Sequence, residues 1–210
     1  MNNKKNFLFT LTLFLLSSPL PMIAMLSKPQ STAEEQKHTQ AELENEKEQT
    51  ALFVNECQKE DADLEKVSFF IQQGADVNAQ DKTGFTPLHY ACALHNFNLA
   101  KLLIENGANI EIKDFKGFTP LFYTCLNNDF NITKLLIENG ANIEIKVQGL
   151  TPLHIVCQNG HLNIVKLLIE KDANVDVKTN YMVTPLHLAC QYGKFDIASY
   201  SNEKSKFPLL

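Results

Sequence analysis

Beyond residue 50 the apolar and polar positions of this chain follow two alternating rhythms. Leu99, Leu102 and Leu103 recur at helical spacing, as do Ile132, Leu135 and Leu136, then Ile164, Leu167 and Leu168. That spacing predicts three amphipathic helices with polar faces carrying Lys101 and Glu105, Lys134 and Glu138, Lys166 and Glu170. After each helix the pattern changes to strict alternation, as in Ile110-Glu111-Ile112-Lys113, Ile143 to Lys146 and Val175 to Lys178. Period two after a helix predicts a short extended arm, leading into turns at Asp81 to Gly84 and Asp114 to Gly117.

A shorter helix precedes each of these, and its start is written in the residues. Thr86-Pro87-Leu88-His89 returns as Thr119-Pro120-Leu121-Phe122, Thr151-Pro152-Leu153-His154 and Thr184-Pro185-Leu186-His187, in steps of 33, 32 and 33 residues. Threonine caps the first orphan N–H groups, proline surrenders an N–H that had no partner, and histidine three residues on can bond back to the cap. Phe85, Phe118, Leu150 or Val183 stands before each cap, with Tyr90, Tyr123, Ile155 or Leu188 four residues inside, the spacing of a hydrophobic staple. Gly160 and Gly193 end two of the helices, with His95 and Asn128 in the same place elsewhere, and Gly107 and Gly140 close the longer ones. Leu102 to Asn109 is repeated letter for letter at Leu135 to Asn142 and returns altered at Leu167 to Asn174.

Helix, helix, arm, with a period near 33 residues and this opening motif, resembles the ankyrin repeat family over about Ala51 to Ile197. The resemblance implies an all-α solenoid of stacked helix-turn-helix pairs, with short extended hairpin arms projecting from one edge. It divides residues 51–210 into a degenerate capping repeat, 51–79, three full repeats, 80–112, 113–145 and 146–177, and a frayed last repeat, 178–210. Departures from the pattern gather late: Asp172 replaces a closing glycine, Met182 replaces a turn glycine, and the third arm is one residue short. The last repeat, with Ser199 to Lys204 where its neighbours carry Lys-Leu-Leu-Ile-Glu, is expected to be the least stable.

The beginning of the chain follows neither rhythm. Lys4 and Lys5 precede an apolar run from Phe7 to Leu16, and Ser17, Ser18, Pro19 and Pro21 then interrupt it, so residues 1–26 are expected to be a signal peptide. Retained, the same segment would be an N-terminal membrane anchor, since Phe7 to Leu26 is just long enough to span a bilayer. Residues 27–50 are rich in glutamate and poor in apolar groups, a polar linker or a marginal exposed helix.

Charge and candidate chemistry narrow the function. The 24 acidic and 19 basic residues give a net charge of −5, and every basic residue is lysine. Without arginine, the usual reader of phosphates and guanine edges, nucleic acid is a poor partner. Cys57, Cys92, Cys125, Cys157 and Cys190 occupy one position in successive first helices, too far apart to pair, and are expected to be small buried core residues. Free thiols in an exported protein fit a final destination in another cell's cytosol. His89, His154 and His187 lie at least one repeat apart and are not placed to share a metal. Asn131-Ile132-Thr133 matches a glycosylation triplet but falls at the start of a packed helix. With no catalytic motif, no metal site and no cofactor site legible, the chain is expected to be a non-enzymatic scaffold, a monomer with no small-molecule substrate.

The resemblance implies protein binding through the arm tips and the concave face of the first helices. On that surface Lys113, Lys146 and Lys178 fall in register, with Lys116 beside Phe115 and with Tyr181 and Met182 following Lys178. Leu94, Leu126 and Tyr192 are expected to extend this stripe onto the helices. Lysines beside exposed aromatic groups would suit an acidic protein surface with a few apolar anchors. The expected role is an exported adaptor or effector, and the alternative is a membrane-anchored structural protein of the envelope that displays the repeats.

Overall fold

The computed structural model describes residues 33–204, with side chains from residue 43 onward. The signal-or-anchor segment, residues 1–26, lies outside the described residues. Contacts divide the chain into units 1–39 and 40–210; of the first, only the backbone of the opening turns of α1 is described.

Ten helices are described: α1 (Ala33–Cys57), α2 (Leu64–Gln72), α3 (Pro87–Ala93), α4 (Phe97–Glu105), α5 (Pro120–Leu126), α6 (Phe130–Glu138), α7 (Pro152–Asn159), α8 (Leu162–Glu170), α9 (Pro185–Gln191) and α10 (Phe195–Lys204). From α3 onward each odd-numbered helix packs on the next odd one, and from α2 onward each even-numbered helix on the next even one, giving two parallel files. This is the all-α stack expected. Leu88, Leu121 and Leu153 fill one file; Leu99, Leu103, Ile132, Leu136, Ile164 and Leu168 fill the other, all at 1% exposure or less. Each leucine so buried contributes about 2 kcal/mol.

The caps form as their spacing implies, and they also join repeats. In α3 the Thr86 N–H donates to Nδ1 of His89 at 3.1 Å, and the Thr86 hydroxyl lies 2.8 Å from the same nitrogen. Nδ1 is therefore the acceptor, which leaves the proton on Nε2, and Nε2 lies 3.1 Å from the Phe118 carbonyl of the next repeat. His154 repeats the arrangement with Thr151 and, at 3.2 Å, the Val183 carbonyl. Each imidazole is thus both a cap and a tie to its neighbour. In α5 Phe122 replaces the histidine, and the buried Thr119 hydroxyl has no partner among the described residues.

Left-handed residues sit where the sequence asks for them: His95 and Asn128 at φ 58°, Gly160 at 91°, Gly107 at 85° and Gly140 at 90°. Asp172 and Met182, which replace glycines, are held at 64° and 62°.

Two expectations are corrected, one at the start of the repeats and one among the cysteines. The arms form no strand among the described residues, and only an isolated bridge joins Val147 to Leu150. The side chains of Asn109, Asn142 and Asn174 accept from the N–H two residues on and curl each arm into a turn, so the alternation records only which side packs inward. The division at residue 50 falls inside α1, a continuous helix of 25 residues, so the glutamate-rich segment from Ala33 runs without a break into the first repeat. Among the cysteines, Cys57, Cys92, Cys125 and Cys157 are buried, whereas Cys190 is exposed because α9 has no first helix stacked beyond it among the described residues. The last repeat itself is a complete pair, with α10 burying Ile197 and Ser201 at 2% exposure. Ser201 fills the place that Leu103, Leu136 and Leu168 take in earlier repeats, which removes methylenes from that end of the core.

Candidate binding edge

Three of the four arm tips are each fixed by one side chain near the start of the arm. Oδ1 of Asp81 accepts from the Thr83 and Phe85 N–H groups at 2.7 and 2.9 Å. Asp114 does the same for Lys116 and Phe118, and the Thr179 hydroxyl does so for Tyr181 and Val183. The other carboxylate oxygen of Asp81 accepts from the Tyr90 hydroxyl, and that of Asp114 from the Tyr123 hydroxyl. Burial pushes the Asp81 carboxyl up, but bonds from Thr83, Tyr90 and main-chain N–H groups outweigh it and bring the group down to about 2. The third arm replaces this polar pair with buried Val147 and Ile155. Val147, next to Lys146 on the third arm, is therefore a core residue.

Consecutive arms are bonded to each other. The Asn109 N–H donates to Oδ1 of Asn78 at 2.7 Å, the Asn142 N–H to Oε1 of Glu111 at 2.7 Å, and the Asn174 N–H to Oε1 of Glu144 at 2.6 Å. Nearer the tips, Gln80 donates to the Lys113 carbonyl at 3.0 Å, and the Phe115 N–H donates to the Thr83 carbonyl at 3.1 Å. Sequence reading missed this ladder. Its signal was present in Asn78, Glu111 and Glu144, acceptors that recur at one place in the period.

The expected binding residues separate into two groups. Phe115, Tyr181 and Met182 stand on the arms at 74%, 89% and 63% exposure, beside exposed Lys113, Lys116 and Lys178. Lys146 belongs to the row but is engaged, donating to the Lys178 carbonyl at 3.2 Å as Gln80 does to Lys113. Leu94, Leu126 and Tyr192 form the second group, on the helices. They stand at the far ends of α3, α5 and α9, about 10 Å of helix from the caps that follow the arms. Leu94 is also half-buried, while Leu126 and Tyr192 are 39% and 48% exposed. A separate groove, lined by Leu43, Thr50, Val54, Gly74, Ala79 and Gln80, runs between α1 and the first arm.

Among the described residues no three His, Cys, Asp or Glu side chains gather as metal ligands would, and no helix is long and apolar enough to cross a membrane. Burial pushes the Cys57, Cys125 and Cys157 thiols up to about 12 and raises Cys92 as well, so none is a ready nucleophile.

Two files of short capped helices joined by turn-built arms define a helical-repeat protein, a class whose shared fold is a scaffold for recognition. A family model for ankyrin repeats matches in three copies, over residues 22–114, 55–147 and 121–200, and the chain belongs to that family. Ankyrin repeats generally mediate protein–protein interaction. No curated protein sequence matches this chain.

Proposed function

We propose that the chain is an exported, monomeric, non-enzymatic adaptor that docks an acidic protein surface along its arm edge. One observation carries the reading: Lys113, Phe115, Lys116, Lys178, Tyr181 and Met182 project from arms that side chains have already bonded into a fixed row. A row of lysines in a chain of net charge −5 sets this edge apart electrostatically, and the exposed apolar groups supply anchors. Export rests on the basic and apolar start of residues 1–26, and a destination in another cell's cytosol on the four buried free thiols.

The test is photo-crosslinking from the full chain. A crosslinker at position 115 is expected to capture a protein that is lost when Lys113, Lys116 and Lys178 are changed to glutamate, while a crosslinker at position 101 on α4 captures none. Equal capture from positions 101 and 115 would remove the arm edge as the docking face. N-terminal sequencing of the mature protein tests export independently: loss of the first residues is expected, and an intact start would favour the anchored reading.

A further inference from the structure

Three Asn-Gly pairs occur along the chain, Asn106-Gly107, Asn139-Gly140 and Asn159-Gly160, and the fold treats them differently. This dipeptide is the one most open to succinimide chemistry, because glycine offers no side chain to hinder attack by its own nitrogen. At the first two pairs the asparagine amide is tied down: Nδ2 of Asn106 donates to the Leu102 carbonyl, and Nδ2 of Asn139 to the Leu135 carbonyl, both at 2.8 Å. The Asn159 side chain is exposed and has no hydrogen-bond partner among the described residues.

The surroundings of the glycines differ as well. A β-carbon built on Gly107 or Gly140 meets nothing within 4 Å. One built on Gly160 meets the Lys194 side chain, with Cδ at 3.0 Å and Nζ at 3.3 Å. The Lys194 ammonium therefore lies over Gly160, the residue whose nitrogen would attack, and a cation there favours loss of that nitrogen's proton. In all three pairs the glycine N–H donates to a helix carbonyl, Ile104, Ile137 or Val156, so local opening is a shared requirement and does not separate them.

We propose that Asn159 is a site of spontaneous deamidation built into the α7–α8 turn, promoted by Lys194, and that Asn106 and Asn139 are protected. The Gly160 nitrogen loses its proton and bonds to Cγ of Asn159, the bond from Cγ to the amide nitrogen breaks, and ammonia leaves. Water then opens the succinimide at either carbonyl, giving aspartate or isoaspartate. Either product places a carboxylate on the edge that carries Leu126 and Tyr192, and isoaspartate adds a main-chain methylene to a turn closed by the His161 N–H donating to the Val156 carbonyl at 2.9 Å.

The experiment ages the full chain at mildly alkaline pH and maps its peptides, separating the aspartate and isoaspartate forms. Deamidation is expected first at Asn159, several-fold faster than at Asn106 or Asn139. In denaturant the three pairs are expected to react at similar rates, because the fold sets the order. Lys194→Met, which keeps the methylenes over Gly160 and removes the charge, is expected to slow Asn159 several-fold and leave the other two unchanged. Equal rates in the folded chain, a preference for Asn159 that persists in denaturant, or indifference to Lys194→Met would each overturn the proposal.

Discussion

Tyr123 donates its phenol proton to Asp114 across 2.6 Å, nine residues back along the chain, and Asp114 is 5% exposed. The pair ties the base of the second arm to the side of α5, while the other oxygen of the same carboxylate shapes the tip that presents Phe115 and Lys116. Tyr123→Phe leaves one buried carboxylate oxygen without its donor and is expected to cost about 1–2 kcal/mol. Urea unfolding of the two proteins checks this, and an unchanged midpoint would show that water replaces the phenol.

Acidification is expected to act on His89 and His154. Burial holds both imidazoles below the ordinary 6.5, since the ring is used as a neutral acceptor at Nδ1. The unfolded chain takes up the proton first, so this contribution to stability is complete above pH 6.5 and is lost as the pH falls through the lowered folded values. Melting temperatures between neutral and mildly acidic pH should fall more steeply for the native chain than for a His89→Gln, His154→Gln variant.

Met182 and Asp172 hold left-handed conformations at φ 62° and 64°, in places where other repeats have glycine. Releasing that strain recovers about 1–2 kcal/mol per site, partly offset by the greater freedom of an unfolded glycine. Met182→Gly is therefore expected to raise the unfolding midpoint. Gly84→Ala should do the reverse, because its β-carbon would lie 2.6 Å from the Phe115 ring and 2.7 Å from the Phe115 nitrogen. Calorimetric scans of both variants decide the matter.

Thiol labelling separates the five cysteines. A maleimide applied to the folded chain at neutral pH should modify Cys190 alone, because the other four are buried. Mass measurement after brief labelling gives the count, and a second rapid adduct would mean that one of the buried helices opens readily.

The helices could be read from the sequence because their determinants are local. Thr86, Pro87 and His89 start a helix among themselves, and Gly107 stops one by its own φ. Alternation at Ile110 to Lys113 reports burial and cannot distinguish a strand from a turn closed by Asn109. Exposure at Leu94 and Cys190 depends on what stands in the adjoining repeat, which periodicity alone does not reveal. The long reach of α1 was obscured for another reason: its glutamates and lysines carry little apolar signal, although the residues themselves permit a helix. Of the proposed edge, the residue types were legible, whereas the engagement of Lys146 with the Lys178 carbonyl was not.

The bonds from Asn78, Glu111 and Glu144 each run toward the higher-numbered arm, so the edge has a grain, like shingles laid one over the next. A guest that settles on any single arm meets its neighbours already aligned, and little freedom remains to be lost on contact. The same overlap means that damage to one shingle loosens the one it holds, and a substitution at Glu111 would be felt first at Asn142, in an arm it does not belong to.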